Sequence, residues 1–311
     1  MPSRQVIALF GPTGVGKTAV ALALARSLRE RGEDPIAVSA DALQIYTGLE
    51  TLTGAASAAE RAELEHRLVS FVPITETFSA GRYAEIAHAE IDGLLAGGRR
   101  PIVVGGTGLY LRAALADLTL QPPPPPGVRE RLVAAMSERG VQAMHAELAA
   151  VDPASAARIA ASDRQRIIRA LELLEVEGRA RPAPILASKP VSGESELWTE
   201  STRHPTLLVG LTMQRDALYA QIDARVDAMV AAGAEDEVRA AAGEASATAR
   251  KALGFEELLR GDVDAMKTRT RQYARRQLTW MRKLPGVLTI DVGGQTPAQT
   301  AQTILASLTA E

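Results

Sequence analysis

Residues 11–18 read GPTGVGKT and directly follow the apolar run VIALF at 6–10. The octapeptide fits G-x-x-x-x-G-K-[ST] at every fixed position, and it lies between a stretch with strand character and one with helix character. This pattern leaves little freedom. The strand must be buried, the loop must turn on glycines, and the helix must start near the lysine with its positive end facing the loop. Gly11, Pro12, Thr13, Gly14, Val15, Gly16, Lys17 and Thr18 are therefore candidate phosphate-binding residues. Glycines let backbone N–H groups turn inward, Lys17 supplies a mobile positive charge, and the Thr18 hydroxyl is a candidate ligand for Mg2+. The motif specifies phosphate and is silent on what becomes of it.

The rest of the first third continues in the same alternation. Val20, Leu22, Leu24 and Leu28 give a helix over 17–29 ended by Gly32, and residues 36–39 read as a second strand. A helix over 79–96 leads to PIVV at 101–104, a third buried strand closed by Gly105 and Gly106. Further strands are expected at 206–211 and 288–292. Short apolar strands separated by helices predict an α/β fold, a P-loop core with a parallel sheet and helices on both faces. QPPPPPG at 121–127 reads as a stiff extended connection, and the Pro- and Ser-rich stretch 179–198 as a loop or linker. Between them, 128–178 is nearly all helix pattern. The expected organisation is a first core segment 1–120, an inserted helical domain 121–200, and a second core segment 201–311.

Composition excludes several alternatives. The 311 residues contain no cysteine, which removes disulfides, thiolate metal sites and cysteine nucleophiles, and the four histidines are too scattered for a zinc site. A net charge of -2 means that a nucleic-acid partner would need a local basic patch. No apolar run approaches the roughly 20 residues of a membrane span. Residues 1–5 are too short for a targeting segment, so a cytoplasmic protein is expected, and with no heptad or large exposed apolar helix a monomer is expected.

Four further segments carry candidate chemistry. Asp41, in SADALQIY at 39–46, falls at the carboxyl end of the second strand, where ligands gather in a doubly wound sheet. A carboxylate there can bind magnesium, cap a helix or take a proton. Gln44 carries a donor and an acceptor, as reading a nucleobase edge requires. GGTGLY at 105–110 again brings backbone donors and the Thr107 hydroxyl to the sheet edge. In the insert, SDRQ at 162–165 reads as a capping box opening a helix. Ile167, Ile168, Leu171 and Leu174 form its buried face, and Gln165, Arg166 and Arg169 share another. Residues 267–283 hold seven Lys or Arg and no acid. On a helix they spread over one side, with Tyr273, Gln277, Trp280, Met281 and Leu284 on the other, a surface suited to an RNA backbone or a diphosphate.

In this order, GPTGVGKT, DALQIY (41–46), GGTGLY, VRERL (128–132), DRQRIIRALEL (163–173), QRDALYAQIDARV (214–226), ALGFEEL (252–258) and TRQYARRQLTW (270–280) resemble the tRNA dimethylallyltransferases. The resemblance runs over nearly the whole chain. It implies a channel through the core, entered at one end by dimethylallyl diphosphate and at the other by adenosine 37 of a tRNA flipped out of its stack, with Mg2+ as cofactor. It further implies that Asp41 takes a proton from the adenine N6 amine, that Gln44 helps hold the base beside Ala42 and Leu43, and that Thr107 lines the meeting point. Residues 13–18 and Arg215 would hold the diphosphate, with Lys17 catalytic. Arg129 and Gln165, Arg166, Ile167, Ile168 and Arg169 would touch the tRNA.

The chain departs from the family after Tyr46. Where the family usually has a Gly-Met-Asp turn and then Ile-Gly-Thr-Ala-Lys-Pro, residues 47–57 read TGLETLTGAAS, without the lysine. Asp41-Ala42 replaces the common Asp-Ser pair, and Glu65-His66 the usual His-His pair. Three alternatives have other signatures. An adenylate isopentenyltransferase acting on free AMP would need no RNA-gripping insert, and a small-molecule P-loop kinase would not explain 267–283. A non-catalytic RNA-binding descendant would not need Asp41 and an intact loop.

Overall fold

The structure, a computed structural model, describes residues 5–118, 120, 124–176 and 199–308. The chain divides into two compact units, one formed by 1–118 with 197–311 and the other by 119–196.

In the first unit, strand β1 (Val6–Phe10) leads through the loop to helix α1 (Lys17–Glu30), and β2 (Pro35–Ser39) follows. Short helices α2 (Glu50–Thr53) and α3 (Ala58–Glu63) precede a two-residue strand, β3 (His66–Arg67). Helix α4 (Ala80–Ala96), β4 (Arg100–Gly105) and α5 (Gly108–Leu115) end the first segment. The second unit holds α6 (Val128–Arg139), α7 (Val141–Val151), α8 (Pro153–Arg158) and α9 (Arg164–Val176). The chain returns to the first unit with β5 (Thr206–Thr212), α10 (Arg215–Ala231), α11 (Ala234–Ala241), α12 (Phe255–Leu259), α13 (Val263–Met281), β6 (Leu288–Asp291) and α14 (Pro297–Leu308).

The six strands form one sheet in the order β3-β2-β4-β1-β5-β6, and every pairing is parallel. Ala8 of β1 pairs with Val103 on one side and Leu208 on the other, so β1 is central. All five of its residues are buried, as a strand covered on both faces requires. Burying side chains such as Ile7, Leu9 and Phe10 contributes about 1.5–3 kcal/mol each. Leu24 and Leu28 of α1 and Ile304 and Leu305 of α14 share a core cluster with Ile7 and Leu9 of β1. The parallel arrangement matters for function because it brings the carboxyl ends of β1, β2 and β4, and the loops that follow them, to one edge.

The helical unit has its own core of Leu132, Met136, Met144, Leu148, Ile167, Ile168, Leu171 and Leu174. Helix α9 begins one residue later than the SDRQ reading implies. The Asp163 carboxylate, not the Ser162 hydroxyl, accepts the cap bond from the Arg166 N–H at 3.1 Å. Edge strand β3 has no counterpart among the strands expected from sequence. The 179–198 stretch and residues 121–123 of the proline run lie outside the described residues.

Candidate active site

The phosphate loop takes its shape from Gly14 and Gly16, whose φ angles of 84° and 93° lie in the left-handed region that a side chain disfavours. Lys17 follows as the first residue of α1 and curls back over the loop, its ammonium donating to the carbonyls of Gly11 and Pro12 at 3.0 Å each. Burial lowers its pKa to about 8, an effect opposed by the nearby Asp41 carboxylate and reinforced by the Arg225 guanidinium. Two loop amides are already committed. Thr13 N–H donates to Gln277 Oε1 at 2.8 Å, and Val15 N–H to Pro12 O at 3.3 Å. Val15 packs into the core, and Pro12 has no N–H to offer, so the ligand-facing donors of 11–18 reduce to the backbone at 14 and 16–18 with the Lys17 and Thr18 side chains.

A cavity of about 480 Å³ opens beside the loop. Thr13, Gly14, Gly16, Lys17 and Thr18 line one wall, with Asp41, Leu43 and Gln44 from the end of β2 beside them. The Asp41 carboxylate accepts the Leu43 N–H at 3.0 Å, a local turn that fixes the carboxylate at the cavity wall. Gln44 commits its amide nitrogen to the carbonyls of Thr53 and Gly54, at 3.3 and 3.1 Å, and so keeps its amide oxygen as an acceptor. Residues 51–55, within the segment that departs from the family pattern, form another wall. Glu237 holds that wall by accepting the N–H groups of Thr51 and Leu52, each at 2.8 Å.

The cation facing the wall comes from α10. Arg225 donates to Gly54 O at 3.2 Å, while its buried Nε has no hydrogen-bond partner. Burial pushes its pKa down, with Asp41 and Glu60 opposing. Arg215, the residue expected on the diphosphate, sits three turns earlier on the same helix with its side chain 77% exposed beside Asp216, and it is not among the cavity residues. The correction has a simple cause. Leu218, Ile222, Arg225 and Met229 follow helical spacing, so α10 turns Arg225 inward; Arg215 shares that stripe but stands at the first turn of the helix, short of the cavity, where its side chain stays exposed.

A second cavity, about 650 Å³, lies behind the first and is lined by Thr107, Leu109, Arg275, Arg276, Trp280 and Lys283 among others. Tyr273 and Gln277 line both. Thr107 stands at this boundary, its hydroxyl oxygen accepting the Ala42 N–H at 3.2 Å and lying 3.2 Å from the Tyr273 hydroxyl. Burial raises the Tyr273 pKa well above the ordinary tyrosine value, so the phenol stays protonated.

The basic face of α13 is less uniform than its sequence suggests. Lys267 pairs with Asp227, Arg269 with Glu257 and Arg271 with Asp223, acids supplied by α10 and α12. Arg276 stacks over the Tyr273 ring at 5.5 Å, and Arg275, Arg276 and Lys283 face the second cavity. The patch is therefore confined to the last turns of the helix.

In the helical unit the residues expected to touch RNA divide. Ile167 and Ile168 are core residues, 0% and 5% exposed, which removes their side chains from any RNA contact. Arg129 and Arg169 both reach the fully buried Glu172 at 3.1 Å. Gln165 and Arg166 are exposed.

Sheet, loop and cavity together define a P-loop α/β protein that gathers cations around a candidate phosphate site, with a carboxylate beside it. A model of the IPP transferase family matches residues 44–284. The chain is 39% identical over 294 residues to the tRNA dimethylallyltransferase of Thermobifida fusca, covering 91% of this chain and 88% of that protein. It is 38% identical over 318 residues to the tRNA dimethylallyltransferase of Kineococcus radiotolerans, covering 98% and 96%. The crystal structure of a tRNA isopentenylpyrophosphate transferase from Bacillus halodurans superposes with a TM-score of 0.67 at 30% identity, covering 98% of this chain and 97% of that one. The chain belongs to the IPP transferase family.

Proposed function

We propose that this chain is a tRNA dimethylallyltransferase, which moves the dimethylallyl group of dimethylallyl diphosphate onto the N6 amine of adenosine 37 in tRNA and releases diphosphate. The observation that carries the reading is the shared cavity, where Lys17, Thr18 and the orphaned Nε of Arg225 stand beside the Asp41 carboxylate and the Gln44 amide. Cations on one side favour a leaving diphosphate, and an acceptor on the other favours an incoming amine. The relatives at 39% and 38% identity are named tRNA dimethylallyltransferases, which supports the reading.

The chemistry explains why both are needed. An exocyclic adenine amine is a weak nucleophile, because its lone pair is delocalised into the ring. The allylic C1 must therefore develop positive charge, which requires the C1–O bond to lengthen as diphosphate departs with the bonding electrons. Arg225, Lys17 and the loop amides stabilise that departing charge. The N6–C1 bond forms as the C1–O bond breaks, and Asp41 accepts the proton that N6 loses. Gln44, holding its amide oxygen as an acceptor, orients the base. Adenosine must leave its stack to pass by way of the second cavity to Asp41 and Gln44, at a cost of a few kcal/mol that contacts from Arg275, Arg276 and Lys283 offset.

Mg2+ fits this site as a companion of the substrate. Among the described residues no group of three or more His, Cys, Asp or Glu could hold a metal alone. Mg2+ bound through substrate phosphates needs only one or two protein groups, and the Thr18 hydroxyl at the cavity would supply one, leaving Asp41 free as the base. When bound it neutralises diphosphate charge. Among the described residues only Val133, Val176 and Leu259 are exposed large hydrophobics, which favours a monomer. No described helix is long and apolar enough to cross a membrane. A tRNA substrate favours a cytoplasmic location.

The test is incubation with Mg2+, dimethylallyl diphosphate and an unmodified anticodon stem-loop, with AMP in a parallel reaction. Mass spectrometry is expected to find one added C5H8 unit on the RNA and none on AMP. Gain on AMP alone would replace this reading with an adenylate prenyltransferase.

A further inference from the structure

Helix α13 buries a stripe of Met266, Thr270, Ala274, Gln277 and Met281. Gln277 is the one side-chain amide in that stripe, and it is 4% exposed. A buried amide is costly unless both of its ends are hydrogen-bonded. Both are, and to different parts of the candidate site. Its oxygen accepts the Thr13 N–H of the phosphate loop at 2.8 Å, and its nitrogen donates to the Gly106 carbonyl at 2.7 Å. A Cβ at Gly106 would lie 2.3 Å from that nitrogen, so the turn must carry glycine for the amide to reach it. The next residue is Thr107, whose hydroxyl receives the Ala42 N–H, and Ala42 follows Asp41. A continuous set of bonds thus runs from the loop that faces the diphosphate to the turn that faces the acceptor.

We propose that Gln277 is a positioning residue that couples these two substrate sites, so that filling either one strengthens binding at the other. The proposal rests on the reading above, that a diphosphate donor and an RNA acceptor meet at Asp41. A diphosphate that orders the loop fixes Thr13, and Thr13 holds Gln277, which in turn holds Gly106 and Thr107. The second ligand then meets a site that is already ordered and loses less conformational freedom on binding. Linkage makes the effect reciprocal. The same geometry explains why Thr13 N–H is not among the ligand-facing donors of the loop, since its bond to Gln277 anchors the loop instead.

The experiment measures binding of inorganic diphosphate with Mg2+, and of the unmodified anticodon stem-loop, by calorimetry, each alone and in the presence of the other. In the unaltered protein the stem-loop is expected to bind about five-fold more tightly when diphosphate is saturating, the factor one net hydrogen bond supplies, with the same factor in reverse. In Gln277→Met each ligand alone still binds and the factor falls to one. Gln277→Glu, of the same size, can accept from Thr13 but cannot donate to Gly106 O, and it is expected to lose the factor as well. It decides the matter if the methionine variant does not fold. Coupling that persists in either folded variant overturns the proposal, as does an unaltered protein that binds both ligands independently. A protein that fails to bind the stem-loop at all overturns the functional reading itself, and the proposal with it.

Discussion

In the first unit Lys17, Asp41, Gln44 and Thr107 come from three separate stretches and end within two adjoining cavities, whereas the residues of DRQRIIR in the helical unit, contiguous in sequence, scatter. Two of them, Ile167 and Ile168, are core, Arg169 is tied to Glu172, and Arg166 stays exposed. The difference is geometric. A parallel sheet collects the carboxyl ends of its strands at one edge, so residues distant in sequence converge there. A helix spreads successive residues by about 100° each, so a contiguous motif cannot present one surface. Convergence at a sheet edge therefore marks a reaction site, and a run of charges on a helix must be divided by face before it is read as a contact.

The strongest way to break this contrast is Asp41→Asn. Loss of a general base is expected to lower kcat by about 10²–10⁴-fold while the thermal midpoint and stem-loop binding hold, measured by single-turnover transfer and a melting curve. Full activity would mean that the cavity is not where the bond forms. Next is Arg225→Met, expected to lower kcat/KM for the donor by about 10²-fold, with Arg215→Ala near unaltered. Equal losses in the two variants would show that α10 contributes through its exposed first turn.

The pH response sharpens the assignment of Lys17. Its pKa in the folded chain is about 8 against an ordinary lysine value of 10.5, so between those values the unfolded chain holds a proton that the folded chain has released. Ligand-free stability gains from this group as pH rises through that window. Diphosphate binding, which uses the ammonium, is expected to weaken above pH 8, by up to about ten-fold per pH unit. Urea midpoints and calorimetry should move in opposite directions. A binding constant flat from pH 7 to pH 9.5 would remove Lys17 from the phosphate site.

The smallest effects lie in the helical unit. Glu172→Gln, which deprives Arg129 and Arg169 of their shared carboxylate, is expected to cost about 2 kcal/mol in the urea denaturation of that unit. Arg166→Ala should leave stability alone and reduce the salt slope of stem-loop binding by about one. A reversal of these two results would make Arg129 and Arg169 the RNA contacts and Arg166 the structural residue.

Much of this was legible in the sequence, and the misses share a cause. Strands β1, β2, β4, β5 and β6 announce themselves as short apolar runs, while β3 has only His66 and Arg67, which carry no periodicity. The loop 11–18, Asp41, Gln44 and Thr107 are short-range motifs at strand ends, and the fold brings them together. Arg225 lies within QRDALYAQIDARV and Gln277 within TRQYARRQLTW, but no local pattern sets either apart from its neighbours as a site residue. Their signal is a polar residue at a position where helical spacing calls for an apolar one, beside Ile222 and Met229 in one case and Ala274 and Met281 in the other. Lys267 and Arg271 pair with Asp227 and Asp223 of α10, and Arg269 with Glu257 of the preceding helix, so a charge count over 267–283 alone could not find these pairs.

The central claim is that the whole diphosphate leaves as the amine is alkylated in this cavity. Phosphorus NMR of the transfer reaction, run beside mass spectrometry of the RNA, tests it directly. One intact inorganic diphosphate should appear for each C5H8 unit gained, and Asp41→Asn should slow the two together. Orthophosphate in its place, or phosphorus on the RNA, would contradict the account and make the loop the site of a phosphoryl transfer.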